Sequence, residues 1–398
     1  MTWLKVVLIL YRIGYDIEGL TTNPMPNLLN KVETSLFKIF KPRFESIVAC
    51  ADVETKNILG IRRFLSWCVC MAVIVCGEYG SGIAYGKDLY LQDAASPQIF
   101  CEYASNGMVT VCGAVMGTVF TVRAYPDEGM NVEEAALVCR EALICAKHWE
   151  KVMSAMDAES ELAQLNAAEC DVPVPISPEL ERVLLDALEY ARMTNGFFDP
   201  TLGPCIRLWK KSRRLGSLPS EDALQTALRT CGWKKLIVNQ GAVQKTVSGM
   251  SLDLGGIGKG FAVDRMSEVL RRKGVRSFLI DTTSDVFAGN APPGKDGWRL
   301  KVESGDGNEH ILLLNNTAVS TSGSAHQFVK IDGKVYSHVL NPLTGLGMED
   351  GRQVSVMAPS AELADVLATV GCVMGQKSFE LFIAPLSGVR IIAFSRKE

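Results

Sequence analysis

The pattern of apolar and polar positions after about residue 100 changes repeatedly between the two-residue period of a strand and the longer period of a helix. Residues 115–125, VMGTVFTVRAY, are rich in β-branched side chains and partly alternate, which predicts a strand. Asn131 is followed three positions later by Glu134, the arrangement of a helix cap with a supporting acid. This pair predicts the start of a helix that continues towards Met153.

Further element boundaries carry similar signals. Ser177-Pro178 predicts a helix start, and that helix is expected to end near Asn195-Gly196. Asp332-Gly333 lies between two short strand-like runs, which predicts a type I′ hairpin over 329–336. We therefore predict one α+β domain over residues 95–398. The remaining predicted helices begin after Ser220, run from about Lys259 to Lys273, and run from Ser360 to about Met374.

An apolar stretch at 64–76 has the order of an export signal. Arg62 and Arg63 precede it, and small and polar residues follow it. A membrane-spanning helix needs about 20 apolar residues, and this stretch is shorter. We predict a signal-peptide-like segment over residues 61–86.

Several interpretations of this N-terminal region remain open. Cleavage after Ala84 would release a soluble protein, whereas lipidation of Cys76 would anchor it. A buried helix of an N-terminal domain is a further alternative. Residues 1–60 resemble neither a domain nor a repeat, which is consistent with an extension or with a true start nearer Arg62.

Composition narrows the classes of partner and metal. The chain has 398 residues, 47% of them apolar, and a net charge of −3, so no basic surface for nucleic acid is expected. Its 12 cysteines include no CxxC pair and it has only 4 histidines, which disfavours a zinc site. Most of the cysteines are expected to be small buried hydrophobes.

Two segments have the chemistry of a site for magnesium and phosphate. Asp365 and Thr369 are four positions apart on a predicted helix, so their oxygens share one face. The segment SLDLGGIGKGFAVD (251–264) combines glycines with Lys259 at a predicted helix start, where free N–H groups favour phosphate. Taken alone, the first pair could be simply solvated and the second segment simply a turn.

His338 is a candidate proton acceptor. It follows the predicted hairpin in YSHVLNPLTG (336–345). Imidazole can take a proton near neutral pH, as a hydroxyl nucleophile requires. A structural histidine bonded to backbone is the alternative.

Seven motifs occur along the chain in the following order: VMGT (115–118), MSAMDAESELAQLN (153–166), GFFDPTLGPCIRLW (196–209), SLDLGGIGKGFAVD (251–264), AVSTSG (318–323), YSHVLNPLTG (336–345) and APSAELADVLAT (358–369). Together they resemble the ApbE family of flavin transferases over roughly 280 residues. The resemblance implies a single catalytic domain with mixed or antiparallel sheets and packed helices. It also implies binding of FAD and Mg²⁺.

The resemblance also implies roles for particular residues. Mg²⁺ would be held by the backbone carbonyl of Gly256 with Asp365 and Thr369, and His338 would assist the incoming hydroxyl. The positions that match flavin-contacting residues of the family are Met116, Met156, Phe197, Phe198, Asp199, Lys259, Val339 and Leu340.

The implied reaction transfers FMN from FAD to a Thr or Ser of a partner protein as a phosphoester and releases AMP. Two alternatives remain open: hydrolysis of FAD to FMN and AMP, and a non-catalytic FAD-binding lipoprotein. The implied acceptor is a flavoprotein subunit of a membrane redox complex. Together with the predicted signal or lipid anchor, this places the protein on the periplasmic side of the inner membrane.

Three positions depart from the family pattern. Met156 stands where an aromatic residue is usual, which predicts altered stacking on the flavin. DTTSD (281–285) replaces a segment with paired glycines and an acid, which predicts a reshaped pocket wall. Asn341 replaces an Asp, which removes a charge near His338.

Overall fold

Eight strands form one antiparallel sheet, in the spatial order β1-β2-β3-β7-β8-β11-β14-β15. Strand β2 pairs with β3 as a hairpin, whereas β11 lies between β8 and β14, which are distant in the chain. The strands of this sheet are β1 Ile99–Tyr103, β2 Val109–Val115, β3 Thr118–Tyr125, β7 Ser277–Asp281, β8 Asp285–Ala288, β11 Thr317–Gly323, β14 Arg352–Ala358 and β15 Arg390–Arg396.

Three smaller sheets lie outside this large one. One has the order β4-β6-β5, and the others are the pairs β9-β10 and β12-β13. Their strands are β4 Val174–Pro175, β5 Leu236–Asn239, β6 Ala242–Lys245, β9 Trp298–Glu303, β10 Glu309–Leu314, β12 Phe328–Ile331 and β13 Lys334–Ser337.

The computed structural model describes residues 99–303, 309–323, 328–349 and 351–396, all within one unit of the chain, Tyr79–Glu398. The predictions for residues 1–60 and for the signal at 61–86, with Cys76 and Ala84, lie outside the described residues. Within the described ranges, no helix has both the length and the apolar character that crossing a bilayer requires.

Side-chain caps define the starts of four predicted helices. Asn131 and Glu134 form a complete capping box, and Ser177, Ser220 and Ser360 each accept a hydrogen bond from a backbone N–H of the first turn. These starts are therefore confirmed. The helices are α1 Val132–Met153, α2 Glu161–Ala167, α3 Pro178–Met193, α4 Gly203–Leu215, α5 Glu221–Thr230, α6 Gly258–Arg272, α7 Ala361–Met374 and α8 Gln376–Ile383.

The main core forms where α1, α6 and α7 pack against the large sheet. Trp149 of α1 and Phe261 of α6 meet edge to face with ring centroids 4.7 Å apart. Both side chains are buried, at 8% and 0% exposure. This contact fixes α6 between its neighbours, and α6 in turn carries Lys259 at its start.

One predicted strand was wrong, and three helices were missed. Val115 ends β2, and Met116-Gly117 form a turn with φ of 51° and 75°, so the predicted strand 115–125 is two strands and a turn. The apolar alternation continues through this turn and concealed it. The hairpin at Asp332-Gly333 is confirmed, with φ of 49° and 80°. Helices α2, α4 and α8 were not predicted.

Candidate active site

The first turn of α6 lies directly against α7. A Cβ atom at Gly260 would lie 2.4 Å from the carbonyl oxygen of Ala361, so only glycine permits this approach. The N–H of Gly260 donates to Asp365 at 3.1 Å. That N–H group, which the sequence suggested for phosphate, therefore holds a carboxylate of the protein itself.

A second contact fixes the same pair of helices. The carboxylate of Asp264 accepts hydrogen bonds from the N–H groups of Ala361 and Glu362, both at 2.9 Å. These are N–H groups that the first turn of α7 cannot satisfy internally. Asp264 of α6 thus binds the first turn of α7. Its hydrogen bonds to the backbone N–H groups of α7 set the rotation of that helix, which points Asp365 at Lys259.

Lys259 lies between two buried carboxylates. Its Nζ is 2.7 Å from Asp285 Oδ2 and 3.4 Å from both oxygens of Asp365. The two carboxylate side chains are 1% and 2% exposed, whereas the lysine side chain is 27% exposed. One ammonium thus faces two acids, and the excess negative charge of the ionised cluster suits an additional cation.

Sequence patterns did not identify Asp285 as a site residue. Besides Lys259, its carboxylate accepts hydrogen bonds from the hydroxyls of Thr282 at 2.9 Å, Ser284 at 2.7 Å and Ser320 at 2.5 Å. The available signal was the acid of DTTSD, surrounded by hydroxyl residues in the sequence. Its pairing with Lys259 arises only because β8 lies next to α6.

The pKa values of the two acids, Asp285 and Asp365, shift in opposite directions. Burial raises the pKa of Asp365 to about 7, and the nearby charge of Asp285 adds to this. Burial also disfavours the charge on Asp285, but Lys259 and the hydroxyl donors outweigh it and hold its pKa below the ordinary value. The two carboxylates likewise outweigh burial at Lys259 and raise the pKa of its ammonium. Asp365 is therefore the member of the cluster that changes protonation near neutral pH.

The three predicted metal ligands lie near one another. Thr369 is one turn after Asp365 on α7, and its hydroxyl is 3.1 Å from that of Ser322. A Cβ atom at Gly256 would lie 3.9 Å from Cγ2 of Thr369. A carbonyl, a hydroxyl and a carboxylate are the hard oxygen donors that Mg²⁺ prefers, so these residues fit that ion. Across the described ranges, no group of three or more His, Cys, Asp or Glu side chains is arranged to hold a metal.

The segment 196–209 is joined by hydrogen bonds to the segment before the glycine-rich turn. Asp253 N–H donates to the carbonyl of Pro200 at 2.9 Å. Asp199 accepts from the backbone and hydroxyl of Thr201, at 2.8 and 2.6 Å, and from Trp233 N–H at 3.1 Å. Burial raises the pKa of Asp199. These contacts make Asp199 an organiser of the loop that carries Phe198.

The predicted flavin contacts divide into two groups. Phe198 and Val339, both nearly buried, belong to the main core, and the partly buried Met116 and Phe197 pack against it. The ring of Phe198 lies 3.2 Å from the position of a Cβ at Gly256, which places the aromatic side chain next to one of the predicted metal ligands.

Met156 and Leu340 lie elsewhere. Met156 is 74% exposed, with its sulfur 3.8 Å from the ammonium of Lys210. Lys210 also pairs with Asp253 at 3.6 Å, which links Met156 to the glycine-rich segment. Leu340 packs instead against two small apolar clusters around Cys205 and Trp209.

His338 is held by hydrogen bonds of its two neighbours. Ser337 donates its N–H to the carbonyl of Met348 at 2.8 Å, and Met348 donates its N–H to Val339 at 2.9 Å. The carbonyl of Ser337 accepts from the indole N–H of Trp209 at 3.1 Å. The backbone at His338 is thus fixed by α4 and by the chain around Met348.

The departure DTTSD forms the turn between β7 and β8. Thr283 has φ of 74°, a conformation that favours glycine, the residue that the family pattern has in this segment. Its hydroxyl is 3.2 Å from that of Thr118, which follows the Met116 turn. This contact joins the turn after Met116 to the Asp285 side of the cluster, and a reshaped pocket wall at DTTSD stays a prediction.

A cavity of about 510 Å³ lies outside the predicted site residues and is lined by residues 166–170 and 247–251 with Arg207 and Lys245. Lys245 donates to the carbonyls of Leu165, Asn166 and Ala168 at the end of α2, at 2.6 to 3.0 Å. All three hydrogen bonds of its ammonium therefore stabilise the fold. The Lys259 cluster remains the better candidate for a catalytic site.

Comparisons with known proteins show which family the chain resembles. The family model described as ApbE family matches residues 116–392. A Treponema pallidum protein named FAD:protein FMN transferase is 31% identical over 295 residues, which cover 69% of this chain and 81% of that protein. The apo structure of the Pseudomonas stutzeri flavinyl transferase ApbE is similar, with TM-score 0.65 and 23% identity over 77% of this chain and 96% of that one. A Thermotoga maritima ApbE protein gives TM-score 0.64 and 25% identity over 73% and 97%.

Proposed function

The chain belongs to the ApbE family, and from this premise we propose that it is a Mg²⁺-dependent FAD:protein FMN transferase. The reaction would join the FMN part of FAD to a Thr or Ser hydroxyl of an acceptor protein and release AMP. Relatives that carry the name FAD:protein FMN transferase support the class of enzyme. The chemistry of the site supports the metal, the phosphoester bond and AMP as the leaving group.

The observation that carries the proposal is the cluster of Lys259, Asp285 and Asp365 next to Gly256 and Thr369. A structural ion pair needs one acid and one base. This cluster has a second buried acid, and hydroxyl and carbonyl oxygens adjoin it. Such a set suits a cation and the diphosphate of FAD together.

The protein side chains would act mainly through charge. Mg²⁺ bound by Asp365, Thr369 and the carbonyl of Gly256 would withdraw negative charge from the diphosphate oxygens. Lys259, oriented by Asp285, would stabilise the charge that develops as the bond to AMP breaks. Phe198 would bring an aromatic surface next to this charged group.

His338 would serve as the proton acceptor. The acceptor hydroxyl oxygen would attack the phosphorus of the FMN half, the bond from that phosphorus to the AMP oxygen would break, and the hydroxyl proton would pass to imidazole. Water in place of the hydroxyl would give FMN and AMP by the same steps. The fixed backbone on both sides of His338 supports a positioned role.

We further propose that the acceptor is a flavin-carrying subunit of a membrane redox complex and that the enzyme works on the periplasmic side of the membrane. The basic and apolar pattern at 61–86 supports export.

The test is an incubation of the purified chain with FAD, Mg²⁺ and a Thr-containing candidate acceptor, followed by mass spectrometry. We expect an FMN adduct on the acceptor and an equal amount of AMP. Asp365→Ala should lower the rate by about 10²–10³-fold, as loss of a charge-stabilising group typically does. Glu362→Gln, one turn earlier on the same helix, is the matched control and should keep the rate.

The other outcomes identify the alternatives. AMP and free FMN with no adduct on any acceptor tried would indicate a hydrolase. Bound FAD with no turnover would contradict the enzyme and favour a flavin-binding lipoprotein.

A further inference from the structure

Two cysteines form a buried pair outside the catalytic cluster. Cys205 lies in α4 and Cys231 ends α5, and their sulfur atoms are 3.7 Å apart although the residues are 26 positions apart in sequence. They are 0% and 7% exposed and share a small apolar cluster with Leu202 and Ala227. Both thiols are free in this structure.

We propose that Cys205 and Cys231 are a modification site at which a small disulfide oxidant forms an intramolecular disulfide. One protein thiolate attacks a sulfur of the oxidant and releases one oxidant thiol. The second protein thiolate then attacks the mixed disulfide and releases the other oxidant thiol. Two protein thiols are oxidised by two electrons, the oxidant disulfide is reduced to two thiols, and the two protein protons end on those thiols.

The surroundings assign an order to these steps. The thiol of Cys205 can donate to the sulfur of Cys231, and Cys231 can donate to the carbonyl of Ala227 at 3.2 Å. The hydrogen bond from Cys205 lowers the pKa of Cys231, whereas the same interaction and burial raise the pKa of Cys205. Cys231 also has the larger exposed fraction, so it is the more accessible of the two sulfurs. It is therefore the first nucleophile, and Cys205 resolves the mixed disulfide.

The pair lies beneath segments that shape the candidate active site. Cys231 is followed by Gly232 and Trp233, whose N–H groups donate to Thr201 at 2.7 Å and to Asp199 at 3.1 Å. The sulfur of Cys205 lies 3.1 Å from the position of a Cβ at Gly345, in the motif that contains His338. A bond between the sulfurs would join α4 to the end of α5 and stabilise this loop in its present position.

The experiment equilibrates the folded full-length chain in buffers with increasing ratios of oxidised to reduced glutathione. Remaining thiols are alkylated, and tryptic peptides are analysed by mass spectrometry. Cleavage at Arg192, Arg207, Arg229 and Lys234 gives peptides 193–207 and 230–234 with one cysteine each. We expect these two peptides joined, lighter by two hydrogens than their reduced sum. The Tm of the oxidised protein should rise by about 3 °C or more, because the bond restrains the unfolded chain.

Single variants test the pairing. Cys231→Ser should abolish the joined peptide and the rise in Tm, and Cys205→Ser should retain Cys231 as a mixed disulfide with glutathione. Cys170→Ser, at a cysteine outside the pair, should leave the joined peptide unchanged. The proposal is overturned if wild-type protein stays fully alkylated at both positions in the most oxidising buffer, or if the joined peptide forms only in urea.

Discussion

At the scale of single residues, Asp285 shows how a buried charge is made tolerable. An isolated carboxylate buried to this degree would be costly in free energy. Here the ammonium of Lys259 and the hydroxyls of Thr282, Ser284 and Ser320 supply four donors. Because every donor favours the charged form, Asp285 acts as a permanent counter-ion that orients Lys259.

Replacement of this counter-ion should be severe. Asp285→Asn leaves Lys259 with Asp365 alone and presents an amide N–H₂ to several donors. We expect the free energy of unfolding to fall by about 3 kcal/mol or more, as for other broken buried pairs. Urea unfolding measures this. Ser320→Ala removes one hydrogen bond to the same carboxylate and should lower the free energy of unfolding by about half as much. Equal stability of Asp285→Asn and wild type would contradict the counter-ion role.

Glu362 is a second buried acid, and it predicts a pH effect. Burial first, and then the charges of Asp186 and Asp264, raise its pKa to about 8 from an ordinary value of 4.5. Between these pH values the folded protein holds a proton that the unfolded chain has released. The free energy of unfolding should therefore decrease as the pH rises from about 4.5 to about 8, by up to about 4 kcal/mol.

Glu362→Gln should remove the part of the slope that Glu362 contributes, because an amide does not titrate, and should make the protein more stable than wild type at pH 8. Asp365, whose pKa burial also raises, should retain its own part of the slope. Urea midpoints measured from pH 5 to pH 8 test this. The exposed Glu179 supplies the control, since Glu179→Gln should keep the slope of the wild type. A slope in Glu362→Gln as steep as that of the wild type would assign the effect entirely to other acids.

At the scale of elements, the site depends on how closely α6 approaches α7. Gly260→Ala would push a methyl group to 2.4 Å from the carbonyl oxygen of Ala361, and backbone cannot move aside cheaply. We expect a loss of about 2–3 kcal/mol in stability. Weaker Mg²⁺ binding should accompany it, because Asp365 shifts with α7.

The control is two residues earlier in the same turn. A Cβ at Gly258 would meet only the side chain of Met153, at 3.8 Å, which is ordinary contact. Gly258→Ala should therefore change both the urea midpoint and Mg²⁺ binding little. If the two alanine variants behaved alike, the close approach at Gly260 would not be the determinant.

At the scale of the whole molecule, the candidate site joins segments that are far apart in the chain. Gly256, Asp285 and Asp365 come from the glycine-rich turn, from β8 and from α7. A ligand that bridges such segments binds the folded protein and not the unfolded chain. It should therefore stabilise the entire domain.

Mg²⁺ should raise the free energy of unfolding by about 2.7 kcal/mol at one hundred times its Kd, by mass action on the folded state. Thermal unfolding with Mg²⁺ and with EDTA measures the effect. Asp365→Ala should lose it, whereas Glu362→Gln should retain it. Equal Tm with and without Mg²⁺ over a wide concentration range would contradict the proposed ligand set.

The sequence by itself determined the four capped helix starts at Asn131, Ser177, Ser220 and Ser360, the hairpin at Asp332-Gly333 and the α+β class. These depend on local chemistry: a cap such as Asn131 contacts N–H groups within its own first turn, and Asp-Gly permits positive φ in place. The order of the motifs also identified the family, which the comparisons confirm. The spacing of Asp365 and Thr369 placed two predicted ligands on one helical face.

Only the tertiary structure decided which side chains from distant parts of the chain come into contact. The pairing of Lys259 with Asp285, the capping of α7 by Asp264 and the contact of Cys205 with Cys231 join residues whose sequence separations no local pattern encodes. The close approach at Gly260 brings α6 against α7, and the packing of α4 against α5 brings the two cysteines together. Such contacts depend on packing across the sheet and between helices, whereas sequence periodicity reports only which face of an element is buried.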